Sequence, residues 1–369
     1  MSTTGRNQAP APAPSDLADS LAGAAFVRLV SDATGAALAA TGVLARALDA
    51  AGTPFQASVV APFAESDRTT EADLTVALGR PRADADDALS AAPAATAFRV
   101  ARELGATTDP ILALAGSIAG GDADGTVADA AERAGLERRP GLAIPVADVA
   151  DGLAHSTLLS GPFSGDETAA AAALEDLALP ADLSPEDHRR VASLVALAAT
   201  GSVPRASDAV ARALHPYVGG PFETVGGYAD VLDAVARTEP GTGIALALGH
   251  DSVHDRALAA WRTHARRAHG AVDDATTGRY DGLFVARGDA MPVGTVARLL
   301  ADFHAPEPVA LAVVDGAAAA RSTDDRDVAA AMRAATDAVG GEAVGSGDRA
   351  RAQFDAPTSA FIEAFREAV

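Results

Sequence analysis

The sequence predicts an α/β fold in three parts: an N-terminal parallel sheet flanked by helices, a helical middle region, and a smaller C-terminal α/β domain. Three observations predict it. Short β-branched runs alternate with alanine- and leucine-rich stretches of helical length at both ends of the chain, and parallel strands need such crossovers. Between about residues 110 and 220 the pattern is mainly helical, broken at Pro140-Gly141, Gly161-Pro162 and Pro180. A length of 369 residues is enough for two domains, each with its own core.

In chain order, residues 1–15 are polar and proline-rich and read as a disordered lead-in with no signal-peptide apolar core. Residues 16–250 form the first domain together with the helical middle. A helix over 15–22 ends at Gly23, a strand follows over 25–30, and the turn Ser31-Asp32-Ala33-Thr34-Gly35 leads into a helix over 36–51. Strands over 55–60 and 73–78 and a helix over 94–104 repeat the unit. Ser184-Pro185-Glu186-Asp187 resembles a capped helix start. A helix over 228–237, a short strand over 243–248 and a long arginine-bearing helix over 253–269 come next. Residues 251–278 are expected to be a bridging helix and linker, with a boundary near 270–278. In the C-terminal domain, 279–369, the segments 282–287, 293–303, 309–314, 327–339 and 358–368 alternate strand and helix.

Composition bounds the chemistry. Fifty acidic residues face 29 basic ones for a net charge of −21, and every basic residue is arginine, since the chain has no lysine. This alanine- and aspartate-rich, aromatic-poor composition resembles that of proteins from salt-adapted archaea, where carboxylates keep the surface hydrated. The charge does not argue against nucleic acid, because a local arginine patch still meets phosphates. No cysteine is present, which excludes disulfides, a thiolate nucleophile and Cys-ligated zinc. No apolar run reaches about 18 residues, so a membrane span is not expected and the cytoplasm is the natural compartment.

Several motifs carry a resemblance. Val30-Ser31-Asp32-Ala33-Thr34-Gly35 follows a strand, Asp73 to Gly79 forms another strand ending in glycine, and Ala115-Gly116-Ser117-Ile118-Ala119-Gly120 lies on a helix. Later come Met291-Pro292-Val293-Gly294-Thr295-Val296-Ala297, Ala319-Ala320-Arg321-Ser322, and Val339-Gly340-Gly341 with Gly345-Ser346. In order and spacing these resemble the RecJ-like DHH phosphoesterases, including archaeal single-stranded-DNA exonuclease homologues. The resemblance implies an N-terminal DHH-type domain and a C-terminal DHH-associated domain. It also implies a cage of carboxylates and histidines for two Mn²⁺ or Mg²⁺ ions that activate water against a phosphodiester. Most of that cage is replaced here. Val30 stands for the histidine of the first motif, Thr34 for its second aspartate and Ala77 for the aspartate of the second motif. Gly120 stands for the aspartate of the fourth, and no Asp-His-His occurs. Asp32 and the nearby Asp122 are the remaining metal candidates. In the C-terminal part the resemblance implies substrate contacts at Gly294, Thr295, Arg321, Gly340, Gly341 and Gly345, with Arg321 reaching substrate phosphate.

Each candidate also has a plainer reading. Asp32 is a metal or phosphate contact, or the cap of the following helix in an Asx turn. Arg256, Arg262, Arg266 and Arg267 track a nucleic-acid backbone or an acidic partner, or pair with local carboxylates on a bridging helix. His250 and His254 have helical spacing but no third ligand, which favours a solvated helix. The expected function is that of a catalytically inactive RecJ-like protein acting in DNA replication or repair, binding single-stranded nucleic acid or replication proteins such as GINS-like partners. No cofactor is expected in that case. The alternative is an active metal-dependent single-stranded DNA 5′–3′ exonuclease or small phosphodiesterase using Mn²⁺ or Mg²⁺ on displaced ligands such as Asp32, Asp84, Asp86 and Asp122. A third reading is a regulatory module that binds a nucleotide.

Overall fold

The computed structural model describes residues 13–64, 71–121, 125–180, 182–200, 203 and 205–369. The lead-in expected over 1–15 lies outside the described residues as far as position 12. From there α1 (Pro14–Gly23) is followed by β1 (Val27–Asp32), α2 (Gly35–Ala51), β2 (Phe55–Val60), β3 (Leu74–Leu78), β4 (Asp87–Leu89), α3 (Pro93–Glu103), α4 (Pro110–Gly120) and α5 (Gly125–Arg133). The four strands are parallel, in the order β2-β1-β3-β4. Strand order therefore reverses at β1, and the switch point between the carboxyl ends of β1 and β3 is where open parallel sheets bind ligands. Asp32 sits there, as the last residue of β1.

The helical middle comprises β5 (Glu137–Arg138), α6 (Val149–His155), α7 (Glu167–Glu175), α8 (Pro185–Ala199), α9 (Ala206–Ala213), β6 (Tyr217–Val218), α10 (Val225–Thr238), α11 (Pro240–Ala247) and α12 (His254–Asp274). The capping box expected at Ser184 is present: its hydroxyl accepts from Asp187 N–H and the Asp187 carboxylate accepts from Ser184 N–H. The strand expected over 243–248 is a correction, because most of it lies in α11. A short apolar run reads equally as a strand or as a buried helix, and Pro240 at the first helical turn favours the helix.

Beyond α12 come β7 (Thr276–Tyr280), β8 (Leu283–Arg287), α13 (Val293–Leu299), a π-helical turn over Leu300–His304, β9 (Val309–Val314), β10 (Ala317–Ser322), α14 (Val328–Val339), β11 (Gly341–Ser346), β12 (Arg349–Phe354) and α15 (Thr358–Ala368). They build a six-stranded sheet of order β11-β12-β10-β9-β8-β7 in which β8 and β9 run parallel and the other neighbours antiparallel. One face, with Leu311, Val313, Ala350, Ala352 and Phe354, packs on Met332, Phe361 and Phe365 of α14 and α15. On the other, Ala310, Ala312 and Ala319 lie under Val296, Ala297 and Leu300. Strands β10, β11 and β12 escape the sequence pattern because alanine, glycine and arginine largely fill them in place of β-branched residues, and β7, TTGRY, because it has no apolar alternation.

The chain divides into two compact units, residues 1–61, 65–135 and 235–257 in the first and 62–64, 136–234 and 258–369 in the second. Residues 136–234 of the helical middle thus group with the C-terminal sheet, while 235–257, with α11, group with the N-terminal one, which differs from the grouping of 16–250 expected above. The segment 251–278, expected as bridge and linker, is a short 3₁₀ turn, α12 and the start of β7, with the helix continuous through Gly270.

Candidate functional site

At the switch point of the first unit, Asp32 is held by arginine. Its Oδ2 accepts from the Arg80 N–H at 2.8 Å, and its Oδ1 lies 3.1 Å from Arg80 Nε and 3.6 Å from Arg82 Nη1. Pairing of β1 with β3 brings the loop after β3 to this carboxylate. Gly79 permits the approach, because a Cβ there would lie 2.6 Å from Asp32 Oδ2. Val30 and Ala77 are register partners on the two strands, both buried. The Asx cap expected for Asp32 is corrected: Thr34 caps α2, its Oγ1 accepting from Ala37 N–H at 3.3 Å. Of the displaced-ligand candidates, Asp84 Oδ1 lies 3.8 Å from Arg82 Nε. Asp86 accepts from Thr75 N–H at 2.8 Å, at the opening of β3. Asp122 lies outside the described residues. A pair of divalent ions does not fit these residues: the one carboxylate left from the family pattern already faces two guanidinium groups, and cations repel a further cation. The sequence reading missed Arg80 and Arg82, which only strand pairing brings to Asp32.

The basic stretch of α12 is also largely paired. In the first unit Arg256 Nε donates to Glu239 at 2.5 Å. In the second, Arg262 forks onto Asp151, with Nη2 2.6 Å from Oδ2 and Nε 3.0 Å from Oδ1, a bidentate charge-assisted pair. Arg266 Nη1 lies 3.1 Å from His155 Nε2. The arginine can only donate, so Nε2 accepts and the Nδ1–H faces Asp151 Oδ1 at 2.9 Å. Burial alone would raise the Asp151 carboxyl, but Arg262 and His155 outweigh it and hold it below its ordinary value. Arg267 is exposed. Among the described residues, Asp151, His155 and Glu167 form the one group of three close enough to share a metal ion. The two arginines already seated on it make it an ion-pair network. His250 precedes the 3₁₀ turn, and α12 begins at His254, so the two histidines do not share a helical face.

The residues expected around Arg321 gather on the open part of the six-stranded sheet. Antiparallel pairing sets Arg321 directly opposite Arg349, and Ala319 opposite Arg351. Directly opposite residues share a face, so three arginines project from one side of β10 and β12, the side on which α13 packs. Asp348 is divided between two of them, Oδ2 lying 3.5 Å from Arg321 Nη2 and Oδ1 3.4 Å from Arg349 Nε. Burial lowers the Arg321 guanidinium from its ordinary value; Asp302 and Asp348 push it back up, while Arg349 and Arg298 lower it further. Gly294 makes room for this row, because a Cβ there would sit 2.5 Å from the Arg351 guanidinium. Thr295 is turned inward and buried, its Oγ1 3.0 Å from His264 Nε2, which takes it out of reach of a surface ligand. Gly340 follows α14, and Gly341 and Gly345 lie on β11, where a Cβ on Gly345 would lie 2.3 Å from Arg349 O. These glycines shape the β11–β12 hairpin that carries Arg349. Sequence reading missed Arg349 and Arg351. The signal was there in the alternation of Arg349, Arg351 and Gln353 with Ala350, Ala352 and Phe354.

A buried joint within the second unit fixes Arg298 of α13. The Asp230 carboxylate, on α10, accepts from Thr157 N–H (2.9 Å), the Thr157 hydroxyl and Trp261 Nε1–H (2.9 Å). Arg298 in turn donates to Thr157 O and Oγ1, each at 2.8 Å. Burial raises the Asp230 carboxyl despite these donors. His269 donates from Nε2 to Ser156 O at 2.9 Å, and burial lowers it to about 4.

Comparison with known proteins agrees with this architecture. Residues 275–367 match the family described as rrnAC1427_C, "Uncharacterized protein rrnAC1427, C-terminal domain". The whole chain is 68% identical to "Uncharacterized protein rrnAC1427" of Haloarcula marismortui over 372 residues, covering 100% of both. Among solved structures it is similar to CDC45 from Entamoeba histolytica (TM-score 0.58, 10% identity, 96% of this chain and 98% of that one). It is also similar to RecJ from Thermus thermophilus in complex with Mg²⁺ (TM-score 0.53, 16% identity, 96% of this chain). The chain spans about half the length of that RecJ, 51%. No helix among the described residues is long and apolar enough to cross a membrane. With full-length identity to the Haloarcula protein and an α/β architecture shared with RecJ and CDC45, the chain belongs to the rrnAC1427 family, which has a RecJ-like fold.

Proposed function

We propose that this protein binds the phosphate backbone of single-stranded nucleic acid on the arginine face of β10 and β12, as a DNA replication or repair component, without metal-dependent hydrolysis. The observation that carries the reading is the placement of Arg321 directly opposite Arg349, with Arg351 two residues along the same face. Like charges directly opposite one another destabilise a sheet. Asp348, shared between the pair, only partly offsets that repulsion, and a bound phosphate would complete it. Guanidinium groups suit phosphate through paired N–H donors. The pairing of Asp32 with Arg80 and Arg82 supports the absence of hydrolysis. The same fold in RecJ and CDC45 supports the nucleic-acid setting only by analogy of fold.

The test is fluorescence anisotropy of labelled single-stranded DNA and RNA at several KCl concentrations, with Mn²⁺ present and the strand recovered afterwards. Wild type is expected to bind with a negative salt slope and to return the strand intact. Charge reversal at both Arg349→Glu and Arg351→Glu is expected to cost roughly 100-fold in affinity and to flatten the slope by about 2. Mn²⁺-dependent cleavage lost in Asp32→Ala would overturn the inactive reading in favour of the exonuclease.

A further inference from the structure

The arginine row does not stop at the sheet. Arg205 and Arg212 stand seven residues apart, at the start and near the end of α9, so both lie on one side of that helix. The adjoining flank of the helix holds Ala206, Ala209, Val210 and Ala213 in the core. Arg212 is 61% exposed, and its Nη2 lies 3.4 Å from Asp302 Oδ1. Arg205 donates to the Thr323 hydroxyl and to Pro306 O, and Thr323 comes two residues after Arg321. Helix α9 of the middle region is thereby fastened beside the end of β10, all within the second unit.

Asp302 sits on the π-helical turn after α13, a local widening of the helix that in proteins generally accompanies functional sites. Leu300, Ala301 and Phe303 of that turn are buried, while the Asp302 side chain remains 13% exposed beside Arg212. It pairs with Arg212, and its charge acts on Arg321. The resulting line reads Arg212, Asp302, Arg321, Asp348, Arg349, then Arg351. Four arginines and two carboxylates thus follow one another from α9 to β12.

We propose that this line is one continuous track for a phosphodiester strand, and that Arg212 of the helical middle contacts phosphates lying beyond those held by Arg321, Arg349 and Arg351. The inference rests on the nucleic-acid reading above and extends it to a part of the chain whose sequence motifs gave no chemistry. The two arginines of β12 recur every second residue, about 6.8 Å apart along a strand, a repeat suited to successive phosphates of an extended backbone. With Arg212 61% exposed and 3.4 Å from Asp302, solvent screens part of the pairing, which leaves the guanidinium available to a stronger anion.

The experiment measures affinity for oligothymidylates from about 4 to about 16 nucleotides, the range of single-strand site sizes. Wild type, Arg212→Glu, Arg212→Gln and Arg349→Glu are compared at fixed KCl, with a thermal melt of each to confirm folding. A continuous track predicts that Arg212→Glu binds the shortest strand within about twofold of wild type. On the longest it loses about tenfold, with the salt slope reduced by about 1. Arg212→Gln follows with a smaller loss, whereas Arg349→Glu weakens every length. If Arg349→Glu weakens binding but both Arg212 variants match wild type at every length, the track ends at Arg321 and this inference fails while the nucleic-acid reading stands. If wild type binds no strand, or binds it no better than the Arg349→Glu variant, the nucleic-acid reading fails first. Polyglutamate competing as well as oligothymidylate would instead assign the line to an acidic protein and overturn the strand.

Discussion

Around Asp32 two guanidinium groups converge on one carboxylate, whereas on β10 and β12 one carboxylate is divided between two guanidinium groups. The residue types and the two-to-one proportion are the same, and what differs is how closely and how openly the charges are held. In the first arrangement charge is closed locally: the carboxylate is partly buried, neutralised, and further fixed by a backbone N–H. In the second, the shared carboxylate lies 3.5 Å from Arg321 and 3.4 Å from Arg349, Arg349 is 56% exposed, and a third arginine, Arg351, follows on the same face. A carboxylate held between two cations is a poor ligand for a metal ion, while exposed guanidinium groups suit an anion. The two regions are therefore told apart by how closely and how openly their charges are held, since the ratio is the same at both.

The largest effect that separates the two regions should be acid sensitivity. His269 lies in the second unit, and burial depresses it to about 4, with Arg298, His304 and His155 adding to the depression. For a base with a lowered folded value, the unfolded chain takes up protons first as pH falls. Stability is then full above about 6.5 and is lost progressively as pH drops toward about 4. The total is on the order of 3 kcal/mol. Burial lowers His304 as well, in the same direction. Hydrogen exchange between pH 7.5 and pH 5 should show loosening first in the second unit, around α12 and the segment after α6. Replacing His269 by glutamine should flatten the dependence. Loosening that starts instead at β1 and β3 would break the distinction.

Next in size is Asp32→Ala. It removes the carboxylate that both Arg80 and Arg82 share in a partly buried setting, with Arg82 only 10% exposed. The cost is about 2 kcal/mol, below the value for a fully buried pair because solvent screens part of it. Chemical denaturation at fixed KCl reads this directly. Nucleic-acid affinity of the same variant should stay within about twofold of wild type. A Tm raised by Mn²⁺ in wild type and not in the variant would show that Asp32 holds a metal after all.

These contrasts were only half legible in the sequence. Strands β1, β2 and β3 announce themselves because their runs are apolar and β-branched, and α2 because Thr34 and Gly52 bracket it. The missing metal ligands were legible too, since Val30, Thr34 and Ala77 occupy motif positions. That Arg80 closes on Asp32 was not, because the two meet only once β1 pairs with β3, 48 residues away. Strands β10 and β12 were hidden for a different reason. Their core-facing residues are mostly alanine, which carries little β-propensity, so Arg349 and Arg351 could not be assigned to a face. Arg321 was found through its motif alone, and its pairing with Arg349 is a fact of register.

The smallest effect carries the sharpest contrast. Arg349 is 56% exposed and faces Arg321 across the strand pair. Truncating it to alanine removes a repulsion and lets Asp348 turn wholly to Arg321. Stability should therefore hold within about 0.5 kcal/mol of wild type or rise slightly, and the gain should shrink as salt screens the repulsion. Nucleic-acid affinity should fall about tenfold in the same protein. A carboxylate removed at Asp32 thus weakens the fold and leaves binding intact, while an arginine removed at position 349 weakens binding and leaves the fold intact. If Arg349→Ala instead destabilises by more than about 1 kcal/mol, a loss typical of a needed charged hydrogen bond, then Arg349 is a structural partner of Asp348. In that case the two regions use arginine in the same way.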